Sequence, residues 1–357
     1  MNAFTLGEVD VQPGQRATVD LPVSTLSNHT HVTLPVHVVH GEAPGPTMFL
    51  SGAIHGDEIQ GVEIIRRILT HPALQTLRGT LLAVPIVNSF GFLNHTRYMP
   101  DRRDLNRCFP GTDRGSLASL VADIFFREVV LRSQFGIDFH TAALHRSNLP
   151  QVRLAPDEPD LLKMAQAFAP PVILISKLRE RSLRLSAGEA GVKVLLYEGG
   201  EALRFDEIAI DAGVRGTLRV MAHLDMVDPT SRPVGQTVFS DASSWVRSPE
   251  SGILHTTRRI GDRVGKGRGG RRGRRSAGSD LAAAVLRMGR HHRRPHQPAT
   301  GQPRRRGVPH RTRHAAGHHS SAPGRSGGAG GRGRNYLKAE GCRLMPPHHA
   351  TCHLRRA

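Results

Sequence analysis

The chain has only three cysteines, Cys108, Cys342 and Cys352. Their spacing matches no metal knuckle and they are too few for a disulfide framework, so the chain reads as a protein of a reducing compartment. The opening stretch MNAFTLGEVDVQPGQ holds neither a basic segment nor an apolar one, and no secretory leader is read from it. No apolar run approaches the roughly 20 residues that a membrane helix requires. The expectation is a cytoplasmic protein with no membrane partner.

Acidic residues are nearly missing from one end. Residues 261–357 carry 23 Lys+Arg against 3 Asp+Glu, whereas residues 1–260 carry 26 against 27. The net charge of +19 therefore belongs to the C-terminal segment, and the body is close to neutral. A nucleic-acid-binding body is not implied by such a distribution. From residue 265 onward, stretches such as GKGRGGRRGRRSAG and SGGAGGRGR lack apolar periodicity and could not bury enough surface to offset the entropy of ordering. Residues 265–357 thus read as a basic low-complexity tail, and three readings of it stay open. It is a disordered tail, or a nucleic-acid arm, for which Arg/Gly/His richness with a single Tyr offers no stacking platform, or the out-of-frame product of a GC-rich gene. Its Arg, Gly, Pro, His and Ala content and its abrupt start favour the last.

What remains is ample for a core. Residues 1–45 alternate apolar and polar side chains, as in ATVDLPV and HVTLPVHVVHG, which predicts antiparallel strands in an N-terminal β segment. Beyond them, apolar runs at 48–54, 81–87, 136–139, 172–175 and 192–197 alternate with helical spacing over roughly 57–70, 116–133, 158–168 and 205–227. That alternation predicts an α/β domain over 46–229 with a mixed, mostly parallel central sheet flanked by helices. DPTSRPVGQ reads as a linker, and residues 236–264 as the start of a small C-terminal β domain that stays incomplete.

The chemistry-bearing residues stand at the ends of these predicted strands. In SGAIHGDE, His55 and Glu58 flank a glycine kink between strand and helix, where an imidazole and a carboxylate can converge on a cation such as zinc. A helix-start turn with Asp57 or Glu58 at the N-terminus is the bland reading of the same stretch. A third ligand is available in His140 of FGIDFHTAALHR, again at a predicted carboxyl end, where open α/β sheets place their ligands. Asp138 beside it is either an orienter of His140 or a strand-end cap, and His145 reads as a loop histidine. In NHTRYMPDRRDLNRCFPG, the Asn106–Arg107 pair of DLNR can hold a carboxylate through an amide and a planar guanidinium. Glu198 ends the apolar strand of VKVLLYEGGE, where a buried carboxylate either pairs with a cation or serves as a general base.

Taken in order, SGAIHGDE, TRYMPDRRDLNRCFPG, DFHTA, NLPQVR and YEGGEALRFDE resemble the succinylglutamate desuccinylase/aspartoacylase family of zinc-carboxypeptidase-like deacylases. The resemblance runs from about residue 45 to 230, and WVRSPESGIL is similar to the start of that family's C-terminal β domain. It implies one zinc ion per chain on His55, Glu58 and His140, with Glu198 as general base and Arg97 as the arginine that polarises the substrate carbonyl. It further implies a substrate-carboxylate clamp at Asn106 and Arg107, and weaker substrate contacts at Arg153 and Arg184. The activity implied is hydrolysis of the amide bond of a small N-acyl amino acid or related N-acyl amine. A metallocarboxypeptidase acting on peptides is the alternative, and a nucleic-acid-binding protein using the tail is a more distant one. Assembly into a homo-oligomer stays open.

Overall fold

The structure, a computed structural model, describes residues 2–229, 235–245, 258–264 and the pair 285–286. The alternating N-terminal residues form two antiparallel hairpins, β1 (Phe4–Leu6) with β2 (Val9–Val11) and β3 (Arg16–Thr25) with β4 (His31–His40). The second hairpin does not stand apart. It joins the main sheet through β4, which pairs with β6 (Arg78–Val84).

From β5 (Ala43–Ser51) onward the chain alternates strand and helix as its periodicity predicts. The helices are α1 (Gln60–Leu69), α2 (Ser89–Leu93), α3 (Leu117–Phe125), α4 (Pro159–Phe168), α5 (Leu183–Glu189) and α6 (Glu207–His223). The remaining strands are β7 (Phe135–Ala142), β8 (Asn148–Leu154), β9 (Val172–Ile175), β10 (Lys193–Glu201) and β11 (Val238–Ser240). Nine strands make one sheet in the order β11-β9-β8-β10-β7-β5-β6-β4-β3. Five of its eight adjacent pairings are parallel, including the central run of β10, β7, β5 and β6. The fold is therefore the mixed, mostly parallel sheet that the apolar runs imply.

The pleat divides the core. Along β5, Met48 and Leu50 join the core layer beneath α1, α4 and α6, while Phe49 joins the opposite layer with Phe125 of α3. Along β6, Leu81 and Ala83 face the first layer and Leu82 and Val84 the second. Strands buried on both faces must be apolar at every position, which is why they read as runs rather than alternations.

Three elements carry no such signal. β8 is half-buried, with Val152 and Leu154 in the core and Leu149, Gln151 and Arg153 on a more open face. α2 and α5 are too short for a periodic pattern. Near the C-terminus, β11 pairs in parallel with β9 as an edge strand of the main sheet, and Ser243–Ser244 pairs antiparallel with Val285–Leu286. Most of the expected linker, residues 246–257 of the expected β domain, and the tail from 265 apart from that pair lie outside the described residues.

Candidate functional site

Three neighbouring parallel strands deliver the candidate groups to their carboxyl ends. Ser51, the last residue of β5, is in register with Asp138 of β7, and His140 of β7 is in register with Glu198 of β10. The kink after β5 then swings His55 and Glu58 over the end of β7. Gly56 is required there, since a Cβ at this position would lie 1.9 Å from the carbonyl carbon of Gly91 in α2. Ala53, at the start of the kink, holds a left-handed backbone with φ of 47°. A non-glycine residue adopts this only where its surroundings enforce it, and such positions cluster at functional sites.

Glu58 does not cap the adjoining helix. The N-cap of α1 is Ile59, which offers the helix no side-chain bond. Instead the Glu58 carboxylate is buried among the other candidate groups. Its Oε1 lies 2.7 Å from His55 Nδ1 and 3.1 Å from Arg97 Nη1. Its Oε2 lies 2.8 Å from His140 Nδ1 and accepts from the backbone N–H of Thr141 at 3.0 Å. The two imidazole Nδ1 atoms are 3.1 Å apart. Asp57, by contrast, makes no side-chain hydrogen bond to this cluster. Its backbone carbonyl accepts from Leu203, and its Oδ1 is buried without a hydrogen-bond partner among the described residues.

Each imidazole is held by a carboxylate at its far nitrogen. His55 Nε2 lies 3.2 Å from Asp104 Oδ1, and His140 Nε2 lies 2.7 Å from Asp138 Oδ2. Asp138 Oδ1 in turn accepts from the Ser51 hydroxyl at 2.8 Å. Burial opposes charge on both rings, but Glu58 and Asp104 raise His55, and Asp138 and Glu58 raise His140 well above the ordinary histidine value. Burial likewise opposes ionisation of Glu58, yet the two histidines hold its carboxyl far below the usual range.

Glu198 sits beside this cluster. Its Oε2 accepts from Asn148 Nδ2 at 2.6 Å, and its Oε1 forms an ion pair with Arg153 Nη1 at 3.2 Å. Burial pushes its carboxyl up, and Arg153 only partly offsets that. Nearby, Arg184 lies in the first turn of α5, its guanidinium largely buried with no ion-pair partner among the described residues. Its Nη2 reaches the Ser176 hydroxyl at 3.4 Å, and its Nη1 has no hydrogen-bond partner among the described residues. Burial and then the positive charge of Arg153 push Arg184 down to about 10.

The DLNR turn is tied to the same helix start. Asn106 Oδ1 accepts from Leu183 N–H at 2.9 Å, which leaves the amide nitrogen as its donor. Phe109 N–H donates to the Arg181 carbonyl at 3.1 Å, so two bonds join these loops. Arg107 is exposed at the end of the turn. Arg97, partly exposed, pairs with Asp104 at 2.9 Å as well as with Glu58.

Residues 44–224 match the succinylglutamate desuccinylase/aspartoacylase catalytic domain. The chain belongs to this family. It is similar to the N-alpha-acetyl-L-2,4-diaminobutyric acid deacetylase of Halomonas elongata, with 30% identity over 290 residues covering 72% of this chain and 84% of that one. Among solved structures it resembles a succinylglutamate desuccinylase/aspartoacylase from Rhodobacter sphaeroides, at 25% identity and a TM-score of 0.62 over 70% of this chain and 80% of that one. An aspartoacylase family protein from Mesorhizobium loti shares the fold at 23% identity, with a TM-score of 0.63 over 77% of this chain and 82% of that one. The chain is accordingly a deacylase, a hydrolase of N-acyl amides, as its motifs imply.

In this member of the family, the residues present suit a zinc ion. His55, Glu58 and His140 each offer a ligand atom, and these lie within 4.8 Å of one another. Two imidazole nitrogens and one carboxylate oxygen are a familiar three-ligand zinc set. The Asp104 and Asp138 contacts supply the outer carboxylates that fix which ring nitrogen faces a metal. Two partners of the candidate residues are not legible in the sequence. Asp104 is visible only as one acid among the charges of PDRRDLNR, although an acid opening a tight turn is itself a signal, since Asp104 caps the turn by accepting from Asn106 N–H at 2.9 Å. Asn148 has no local signal at all. His145 is exposed and stands apart from the cluster. No helix among the described residues is long and apolar enough to cross a membrane.

Proposed function

We propose that this deacylase is zinc-dependent and cleaves small N-acyl amino acids that carry a carboxylate. The observation that carries the reading is the convergence of His55, Glu58 and His140 beside the buried carboxylate of Glu198. Zinc would be held by His55 Nδ1, a Glu58 oxygen and His140 Nδ1, where it would acidify water and polarise a carbonyl.

Glu198 takes the proton of the attacking water on a carboxylate oxygen and returns it to the amide nitrogen as the C–N bond breaks. Its raised proton affinity suits both halves of that transfer. Arg97 points a guanidinium at Glu58 from a partly exposed position. It can therefore donate to the substrate carbonyl oxygen as negative charge develops, worth about 3 kcal/mol for a well-placed donor. Asn106 Nδ2 and the Arg107 guanidinium grip the substrate carboxylate. Arg184, largely buried, supports an anionic substrate most directly, because its Nη1 has no hydrogen-bond partner among the described residues and a buried donor left without an acceptor is costly until one arrives.

The test is metal analysis together with hydrolysis of N-acetyl-L-2,4-diaminobutyrate, N-succinylglutamate and short peptides. Release of amine from an N-acyl amino acid, lost on chelation and restored by zinc, is the expected result. Cleavage of peptides alone would replace this reading with a carboxypeptidase, and chelator-insensitive turnover would remove zinc.

A further inference from the structure

Both oxygens of Glu198 are occupied by side chains of a single neighbouring strand. β8 runs antiparallel to β10, with Gln151 opposite Glu198 and Arg153 opposite Leu196. A residue two positions from the directly opposed one is a diagonal neighbour on the same face, within reach of a long side chain. Arg153 reaches Glu198 Oε1 in this way, at 3.2 Å.

Asn148 arrives by a different route. It is three residues before Gln151, and in a regular ladder it would face the other side of the sheet. The register, however, shifts between Glu198 and Gly200, so that Asn148 pairs with Gly200. One extra residue in a strand reverses the facing of the residues beyond it. The irregularity thereby brings the Asn148 amide to Glu198 Oε2, at 2.6 Å. Gly200 sits at this bend with a φ of +68°, a left-handed backbone that glycine adopts without steric cost.

We propose that Arg153 and Asn148 are positioning residues that latch the Glu198 carboxylate at two points, and that Arg153 acts through Glu198 rather than by holding substrate. This rests on the reading of Glu198 as the base, and it departs from the substrate contact that the NLPQVR motif implies for Arg153. The latch fixes the carboxylate plane while leaving each oxygen a free lone pair for the proton in transfer. It also explains the half-buried face of β8, where a fully apolar strand would pack better but could not hold a carboxylate.

Steady-state kinetics of Arg153→Met, Arg153→Lys and Asn148→Ala separate the roles. Misplacing the base should lower kcat by about tenfold to a hundredfold in Arg153→Met. KM, zinc content and melting temperature should stay near those of the parent, with Arg153→Lys partly rescuing kcat and Asn148→Ala repeating the same signature. In a Glu198→Gln background, Arg153→Met should cost nothing further, because its effect is already spent. A large rise in KM with kcat preserved, or a full multiplicative loss in the Glu198→Gln background, overturns the latch. Wild-type turnover by Glu198→Gln alone would instead sink the base assignment, so the two failures are distinguishable.

Discussion

Asp138 offers the sharpest test of the proposed metal centre, because it touches the proposed ligand His140 and is none of the proposed substrate contacts. Its carboxylate is fully buried, with Oδ2 at 2.7 Å from His140 Nε2 and Oδ1 accepting from Ser51 at 2.8 Å. The contact keeps the proton on Nε2 and the lone pair on Nδ1, the nitrogen that faces Glu58 and His55. Two substitutions divide its contribution. In Asp138→Asn the amide oxygen can still accept from His140, while the amide nitrogen turns to the Ser51 hydroxyl, which accepts as readily as it donates. Orientation and tautomer survive and only the charge is lost. In Asp138→Ala both are lost, and the His140 N–H is left buried without an acceptor. Removing such an outer partner lowers metal affinity by about ten- to a hundredfold, or about 1.4 to 2.8 kcal/mol. Asp138→Asn should lie near the lower bound and Asp138→Ala at or beyond the upper. Zinc titration in competition with a chromophoric chelator reads this directly, and circular dichroism checks that each variant is folded. A folded Asp138→Ala that binds zinc as tightly as the parent would refute the role given to Asp138.

Glu198→Gln should retain zinc and fold while losing about a hundredfold or more in kcat, the usual scale of a general base; metal content beside turnover checks it. Burial raises the Glu198 carboxyl and the base must be ionised, so kcat/KM should climb with pH through a limb above the ordinary glutamate range, and that limb should vanish in Glu198→Gln. For stability the sign is the reverse. A raised carboxyl means that folding favours the protonated form, so this group's contribution is full below the unfolded value of about 4.3 and is lost as pH rises through the folded one. Arg184→Met should raise KM for carboxylate-bearing N-acyl substrates by about tenfold or more while leaving zinc content unchanged; an unaltered KM would point to a neutral substrate or another anchor. In the core, Gly136→Ala places a Cβ 2.2 Å from Cε1 of the buried Phe49 ring. Such overpacking should cost about 1 to 3 kcal/mol, read as a lowered melting temperature.

The sequence alone determined the alternation of strand and helix, and with it the class of fold. Strands buried on both faces must be apolar throughout, so β5, β6, β7, β9 and β10 announce themselves locally. It also marked the strand ends that carry chemistry, since a polar residue closing an apolar run, as His140 and Glu198 do, is conspicuous on physical grounds. Tertiary structure alone decided which ends meet. Nothing in the chain order says that β7 lies between β5 and β10, yet that adjacency is what brings His55, Glu58, His140 and Glu198 together. The same holds for the partners of those residues. Asp104 is 49 positions from His55, and Asn148 is 50 from Glu198. Strand pairing and loop return are non-local, and a side chain's partner is set by the face and register it occupies. A half-polar strand such as β8 therefore stays silent in the sequence until the sheet is assembled around it.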